Sequence, residues 1–307
     1  MANQNLKISD HIFPLYMNGL VGRMLYLPPP KHKRREILLL YGHHASIERM
    51  AGLAEDINKY GAVTMPDLPG FGGMESFYKL NEKPTIDNLA DYLAAFVKMR
   101  YKRRRVSILA MSFGFVVATR MLQRYPELAK KVDLMVSIVG FAHTEDFKFS
   151  RKNILLTKFI AKAFSYRASS WLVRHIGLRR MWIKLAYKLV ENRHVKLRDA
   201  DKLERKKRVD FEVILWQCND VRTYMFTTVE MLKLNLCDKT VDLPLHHVAV
   251  PEDRYFNNER VEQHLKVIFS DVEIHSTSVP GHAPTVVASA KEAAPFVPAR
   301  IRRILRG

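Results

Sequence analysis

The segment from Val106 to Gly114 has residue types and a spacing that suit nucleophilic catalysis. It reads Val-Ser-Ile-Leu-Ala-Met-Ser-Phe-Gly, so an apolar run that predicts a buried strand leads directly into a predicted helix. Ser112 falls at the turn between the two, where a strained backbone projects the hydroxyl above the edge of a sheet. Ala110 and Gly114, two residues on either side, are small enough for close packing. The alternative interpretation is an ordinary turn in which Ser112 only caps the helix.

A serine hydroxyl is a weak nucleophile at neutral pH and needs a base, which in turn needs an orienting carboxylate. The chain has 12 histidines, and we favour His282, because it follows a predicted strand and lies in the Gly/Pro-rich loop Pro280–Pro284. The other histidines that we weighed either precede Ser112 or lie within predicted strands, where a structural role is favoured. They are His43, His44, His246, His247 and His275.

The elements that must position these residues belong to a globular protein. Of the 307 residues, 48% are apolar and 26% are charged, with only 13 Gly and 14 Pro, which excludes a disordered or fibrous chain. The 50 Lys and Arg exceed the 31 Asp and Glu by 19, a balance that suits nucleic acid or an anionic membrane surface. No nucleic-acid recognition motif or aromatic stacking platform accompanies the charge, so nucleic acid is not the favoured partner.

The two cysteines, Cys218 and Cys237, cannot form a disulfide framework and match no zinc-binding spacing. We therefore expect reduced thiols in a cytoplasmic protein, with no metal and no cofactor. The N-terminal residues MANQNLKISD lack the charged and apolar regions of a secretory signal. The most apolar window, Ile154 to Ile176, is interrupted by four Lys and Arg, so a membrane-spanning helix is not expected.

Apolar runs alternate with helical periodicity through the first 144 residues. This alternation predicts an α/β fold with a mostly parallel central sheet and helices on both of its faces. The first two strands flank Asn18-Gly19, a dipeptide typical of a type I′ hairpin turn. The predicted strands are Ile12–Met17, Val21–Leu27, Ile37–Tyr41, Ala62–Met65, Val106–Ala110, Leu134–Val139, His246–Val250 and Val272–Thr277. The predicted helices are Ser46–Tyr60, Thr85–Met99, Phe115–Tyr125 and Pro284–Val297.

Residues 145–235 differ in character from the rest of the chain. Their patterns are mainly helical, with one ambiguous strand at Phe211–Leu215, and they contain 21 Lys and Arg against 10 Asp and Glu. We therefore expect a basic helical cap inserted into a core formed by residues 1–144 and 236–307. Ile154 to Trp182 interleaves apolar and basic residues, a pattern compatible with peripheral contact with an anionic membrane. The favoured interpretation is that its apolar face packs on the core and that its charges are solvated.

The chain resembles the α/β-hydrolase family over nearly its whole length. The segment around Ser112 is similar to the family's nucleophile elbow, and Leu39–His44 is similar to its oxyanion loop, with Tyr41 in place of the usual histidine. Pro66–Gly72 is similar to the family's D-x-P-G-x-G loop, and Pro280–Pro284 is similar to the loop that holds its catalytic histidine. The resemblance implies the α/β-hydrolase fold, with a mostly parallel sheet and an inserted helical cap.

The resemblance also implies a catalytic triad of Ser112, Asp253 and His282. Asp253 lies where the family carries its acid, 29 residues before His282. Some relatives place the acid after an earlier strand instead, so Asp146 and Glu145 are the alternative. A further alternative is that Asp253 is only a surface residue of its loop.

The implied oxyanion hole consists of the backbone N–H groups of His43 and Phe113. With the triad, it predicts a serine hydrolase that cleaves a small-molecule ester or a lipid acyl ester through an acyl-serine intermediate. The serine argues against the chemistry of haloalkane dehalogenases and epoxide hydrolases, relatives that attack with an aspartate. Two alternatives remain: a hydrolase of C–C bonds that uses the same triad, and a non-catalytic binding protein with a basic surface.

Overall fold

A central sheet is the framework of the protein. The computed structural model describes residues 8–189, 202–277, 279 and 289–306. The strands are β1 Ile12–Met17, β2 Leu20–Leu27, β3 Arg35–Leu40, β4 Gly61–Pro66, β5 Val106–Met111, β6 Val132–Ile138, β7 Val241–Ala249 and β8 Phe269–Ser276. Within the described residues they form one eight-stranded sheet in the order β1-β2-β4-β3-β5-β6-β7-β8.

The pairing of the strands confirms the predicted α/β class. β2 is antiparallel to both of its neighbours, β1 and β4, and all the other neighbouring strands are parallel. The turn between β1 and β2 has positive φ angles at Asn18 (51°) and Gly19 (76°), as a type I′ turn requires. β5 is buried at every position, which explains why it is a continuous apolar run rather than an alternating one.

Four helices connect the strands that precede β6. They are α1 Ile47–Asn58, α2 Ile86–Arg100, α3 Phe113–Arg124 and α4 Pro126–Ala129. The first three lie where the sequence predicts helices. Thr85 caps α2 by accepting a hydrogen bond from the N–H of Asn88, and α2 packs beside α3.

Five α-helices lie between β6 and β7 in the described part of the chain, and a π-helical segment, Val173–Gly177, separates the second from the third. The five α-helices are α5 Arg151–Phe164, α6 Arg167–Leu172, α7 Arg180–Leu189, α8 Lys202–Cys218 and α9 Val221–Met231. The possible strand at Phe211–Leu215 is wrong, because this segment lies within α8; a short apolar run does not by itself distinguish a strand from a buried stretch of helix. None of the described helices is long and apolar enough to cross a membrane.

The apolar side chains of α5 do not pack as the sequence suggests. Ala161 is the one buried residue of this helix, whereas Leu155 and Phe159 are 64% and 72% exposed. The interpretation that the apolar face packs on the core is therefore wrong for α5. The helix rests on α9 and turns its large apolar residues outward.

Where the structure describes the chain after β7, it contains the helices α10 Asn258–Ile268, α11 Ala290–Ala293 and α12 Ala299–Arg306. Neither α10 nor α12 was predicted. Of the predicted helix Pro284–Val297, residues 284–288 lie outside the described residues, and α11 with a 3₁₀ turn at Ala294–Phe296 forms the rest. The sequence of α12 is dominated by arginine, but its Ile301 and Leu305 are buried, so the charge run is one face of a packed helix.

Candidate active site

Ser112 lies at a sharp turn between β5, which ends at Met111, and α3, which begins at Phe113. Its backbone angles are φ 49° and ψ −118°, a conformation that costs free energy for any residue other than glycine. The N–H of Ser112 donates to the carbonyl of Ile138 at the end of β6, at 2.9 Å. The strained strand–turn–helix geometry is the one that the sequence predicts for a nucleophile elbow.

Two glycines explain why the loop after β3 lies directly against this turn. A Cβ added to Gly114 would lie 2.5 Å from the carbonyl oxygen of Tyr41, which is too close for any side chain. A Cβ added to Gly42 would lie 3.1 Å from Cβ of Ser112. The loop that contains His43 therefore approaches the serine closely because both positions lack a side chain.

The predicted oxyanion hole takes one backbone donor from each of the two segments that meet at Ser112. Phe113 is the first residue of α3, and the first N–H groups of a helix have no acceptor within the helix. They also lie at the positive end of the helix dipole, which favours a developing negative charge. His43 follows Gly42, whose position against Ser112 brings the second N–H into the same region.

The side chain of His43 is enclosed by aromatic rings. Its ring stacks on Tyr224 of α9 at 4.2 Å and meets the edges of Phe71 and Phe113 at 5.5 Å and 5.3 Å. Its Nε2 lies 2.9 Å from Oγ1 of Thr227. Burial, with a smaller contribution from His44, lowers the pKa of His43 to about 3. His43 is therefore neutral and anchors its loop rather than serving as a base.

The structure gives Tyr41 a role that explains its departure from the family pattern. Its hydroxyl donates to Oδ1 of Asp67 at 2.7 Å and accepts the N–H of Leu68 at 3.3 Å. Asp67 is fully buried, and burial raises its pKa to about 7 even though Arg23, with Nε 3.1 Å away, opposes the shift. A Cβ on Gly72 would lie only 2.0 Å from Oδ1 of Asp67. The hydroxyl of Tyr41 thus links the predicted oxyanion loop, Leu39–His44, to the loop Pro66–Gly72.

Asp253 lies in the loop after β7 and is buried, with 2% of its surface exposed. Its Oδ1 accepts the N–H groups of Tyr255 at 2.7 Å and Phe256 at 3.2 Å. Its backbone carbonyl accepts a hydrogen bond from Nζ of Lys148 at 2.7 Å. The structure therefore places a buried, fixed carboxylate at the carboxyl end of β7, rather than a solvated surface residue.

The alternative acid, Asp146, is fully buried and engaged elsewhere. Its Oδ1 lies 2.6 Å from Nδ1 of His264 on α10. Its Oδ2 accepts the N–H groups of Ala142 and His143 at 2.8 Å and 2.9 Å. Glu145, the other alternative, is exposed. Sequence reasoning missed His264, because nothing in the unpredicted helix α10 indicates that it reaches a loop 118 residues away.

Sequence reasoning also missed a buried carboxylate, that of Glu212 on α8. Glu212 is 3% exposed, and its Oε2 lies 3.2 Å from Nε2 of His44 and 3.1 Å from the hydroxyl of Tyr187 on α7. Burial and the carboxylate of Glu212 raise the pKa of Tyr187. These contacts join α7 and α8 to the loop that carries His43, so the helices between β6 and β7 reach the candidate site.

Among the residues that the structure describes, two groups of side chains have the composition of a metal site. In each group the ligand atoms lie within 4.8 Å of one another. The groups are His143, Glu145 and His264, and His246, Glu273 and His275. In the second group Glu273 also forms an ion pair with Arg300, and a fixed positive charge there disfavours a cation.

The predicted base, His282, lies outside the residues that the structure describes, as does the whole of the predicted loop Pro280–Pro284. Among the other histidines, His247 has the structural role that the sequence suggests. Its Nδ1 lies 2.9 Å from Oγ of Ser137, and burial lowers its pKa to about 4. Nδ1 of His246 on β7 lies 3.1 Å from Nε2 of His275 on β8.

No protein-family model matches the sequence, and no curated protein matches it. Solved structures do match the fold. An esterase from Thermogutta terrifontis superposes with a TM-score of 0.60 at 13% identity, over 96% of this chain and 94% of that one. A membrane phospholipase A gives 0.65 at 15% identity over 96% and 86% of the two chains. An epoxide hydrolase gives 0.66 at 12% identity over 96% and 97%.

These similarities, together with the strand order and the elbow, show that the chain has the α/β-hydrolase fold. The matched proteins carry out different reactions on one architecture. The chemistry of this chain must therefore be argued from its own site.

Proposed function

We propose that the protein is a serine hydrolase that cleaves a carboxylic ester through an acyl-serine intermediate. The observation that carries the proposal is the strained backbone of Ser112, with φ 49° at the turn from β5 to α3. Strain of this kind is retained where it serves a function. Here it holds a hydroxyl at the edge of the sheet beside two prospective oxyanion donors.

In the proposed reaction, Oγ of Ser112 attacks the carbonyl carbon of the ester while His282 accepts the hydroxyl proton. The N–H groups of His43 and Phe113 stabilise the oxyanion of the tetrahedral intermediate. His282 then returns the proton to the leaving alcohol, and the acyl group remains on Ser112. His282 then removes a proton from a water molecule, which attacks the acyl-serine; the carboxylic acid leaves as His282 returns that proton to Oγ of Ser112.

Asp253 is the proposed partner of His282. Its Oδ1 already accepts two backbone N–H groups, which fixes the orientation of the carboxylate. A fixed, buried carboxylate holds the histidine in the tautomer that can accept the serine proton, and it stabilises the imidazolium that forms. Asp146 is less suited to this role, because both of its oxygens are engaged by the contacts with His264, Ala142 and His143.

We further propose that residues 145–235 form a cap over a core of residues 1–144 and 236–307. Support comes from Tyr224 and Thr227 of α9, which contact His43, and from Glu212 of α8, which contacts His44. Tyr224 and Phe71 present aromatic surface next to the oxyanion loop, which suits an apolar acyl or alcohol group. Two of the structural neighbours, an esterase and a phospholipase, act on esters by their names.

A fluorophosphonate probe tests the proposal, because it phosphonylates an activated serine at the nucleophile position. Wild-type protein and the Ser9→Ala control, which changes an exposed serine, should be labelled. Ser112→Ala should not be labelled. Equal labelling of Ser112→Ala, with the adduct on another residue, would contradict the assignment of the nucleophile.

A further inference from the structure

The helices α5 and α7 and the segment between them expose an unusual set of large apolar side chains. Six of these side chains, from Leu, Ile, Met, Phe and Trp residues, have more than half of their surface exposed. We call them the apolar face; they are Leu155, Leu156, Phe159, Trp171, Ile176 and Met181. Large exposed apolar side chains grouped in one part of a folded protein mark an interaction surface.

The direction of the apolar face follows from the helical geometry of α5. Successive residues are rotated by about 100° around a helix axis, so Leu155, Leu156 and Phe159 point away from Ala161. Ala161 is the buried residue of α5, and the helix packs on α9. The apolar side of α5 is thus opposite the buried side of the helix, within the described part of the chain.

The same stretch is entirely basic in its charges. Residues 151–189 contain ten Lys and Arg and no Asp or Glu. On α5, Lys152, Lys158 and Lys162 border the apolar face, and within the described residues none of them forms an ion pair. Elsewhere in the stretch, Arg180 and Lys184 are paired with Asp210 of α8, so an acidic group offsets part of the charge of α7 but not that of the three lysines of α5.

We propose that the apolar face binds the surface of an anionic lipid bilayer, with its helices lying in the headgroup region. Apolar side chains flanked by lysines are the features that hold a helix at a bilayer interface. Each positive charge near an anionic leaflet adds to the attraction. A second copy of the chain is a poorer occupant, because two faces without acidic residues would bring like charges together.

The apolar face is connected to the candidate site through α9. α5 packs on α9, and Nε of Arg222 on α9 donates to the carbonyl of Ser165, which follows α5, at 3.1 Å. Two residues further along α9, Tyr224 stacks on His43. A bilayer bound to this face would lie one helix layer from the oxyanion loop. If the proposed function holds, this points to lipid acyl esters as the substrate class.

Vesicle flotation tests the binding directly. The full-length protein should bind vesicles of phosphatidylcholine mixed with phosphatidylglycerol, bind phosphatidylcholine alone much more weakly, and be released by high salt. The variant K152Q/K158Q/K162Q should lose about 10²-fold in partitioning, roughly fivefold for each charge removed. Leu155→Ser with Phe159→Ser should also weaken binding at least about tenfold, because apolar area no longer leaves water.

Matched variants show whether removing lysines or apolar side chains elsewhere on the surface weakens vesicle binding equally. K31Q/K102Q/K130Q removes three exposed lysines that precede β3, β5 and β6, at the sheet edge opposite Ser112, and it should bind nearly as well as wild type. Tyr16→Ser with Val267→Ser removes exposed apolar residues elsewhere and should also bind. Equal losses in control and test variants would overturn the proposal, as would salt-independent binding or no binding.

Fluorescence locates the contact. Trp171 is 56% exposed on the apolar face, so its emission should shift to shorter wavelength on addition of the anionic vesicles, and Trp171→Phe should remove much of that shift. A dimer in sedimentation equilibrium that Phe159→Ser dissociates would assign the face to a second copy and overturn the proposal. Ser112→Ala should bind vesicles like wild type, so failure of the binding is distinguishable from failure of the proposed catalysis.

Discussion

The loops after β6 and β7 each bury an aspartate and hold one of its carboxylate oxygens with two backbone N–H groups. In the first loop, Oδ2 of Asp146 accepts from Ala142 and His143. In the second, Oδ1 of Asp253 accepts from Tyr255 and Phe256. The two loops differ in the histidine assigned to each aspartate. Oδ1 of Asp146 lies 2.6 Å from Nδ1 of His264.

This comparison teaches that a buried carboxylate at the end of a strand does not by itself identify a catalytic acid. In both loops, two backbone N–H groups donate to one carboxylate oxygen of the aspartate and fix its orientation. The role depends on which histidine meets the remaining oxygen. Asp146 meets a histidine of a packed helix, which ties the loop after β6 to α10, whereas we assign Asp253 to His282.

The largest expected effect comes from Ser112 and His282, the two residues that we propose act together with Asp253. Ser112→Ala and His282→Ala should each lower kcat/KM for p-nitrophenyl esters by at least about 10³, because removing either member disables the whole unit. The measurement is ester hydrolysis by purified variants whose circular dichroism matches wild type. Activity within tenfold of wild type in either variant would refute the triad.

Exchanging the two carboxylates for amides tests the comparison itself. Asp253→Asn should lower kcat/KM by about 10²–10⁴, since an amide no longer favours the required tautomer of His282. Asp146→Asn and Glu145→Gln should cost less than about tenfold, and the first should mainly lower the melting temperature by weakening the contact with His264. The opposite ranking in activity would move the acid to the loop after β6.

The buried side chains of His43 and His247 should make the stability of the protein depend on pH. Burial lowers the pKa of His43 to about 3 and of His247 to about 4, whereas an exposed histidine in the unfolded chain has a pKa of about 6.5. Below about pH 6.5 the unfolded state therefore binds more protons, so the free energy of unfolding falls as the pH drops toward 4. The expected slope is about 1 kcal/mol per pH unit for each histidine.

Urea unfolding between pH 7 and pH 4.5 measures this slope. His247→Gln should reduce it, while a substitution of the exposed His175 should leave it unchanged. Asp67, whose pKa burial raises to about 7, changes stability in the opposite direction over this range, so the test is the comparison of variants. A slope in His247→Gln equal to that of wild type would show that this histidine is not held neutral by the fold.

The smallest expected effect concerns Tyr41. Tyr41→Phe removes the hydroxyl that donates to Asp67 at 2.7 Å, and it should cost about 1–3 kcal/mol of stability because a buried carboxylate oxygen loses its donor. kcat/KM should fall less than about tenfold. The exposed Tyr16→Phe is the control, and equal stability of both variants would show that the Tyr41–Asp67 contact contributes little.

Much of the fold and the elbow could be predicted because they depend on local sequence. The apolar run of β5, the small residue Gly114 and the turn at Asn18-Gly19 each carry a backbone requirement that a short window expresses. The contact between Asp146 and His264 could not be predicted, because it joins elements far apart in the chain. The outward direction of the apolar residues of α5 was also hidden, since amphipathic spacing does not reveal which side of a helix is covered.

Mass spectrometry of the acyl-enzyme tests the central claim most directly. The protein is mixed with a p-nitrophenyl ester, quenched in acid during the first turnovers, and digested. We predict a burst of p-nitrophenolate and an acyl group on the peptide that contains Ser112, with no such adduct in Ser112→Ala. Turnover without an adduct on Ser112, or an adduct on a different side chain, would contradict the assignment of this protein as a serine hydrolase.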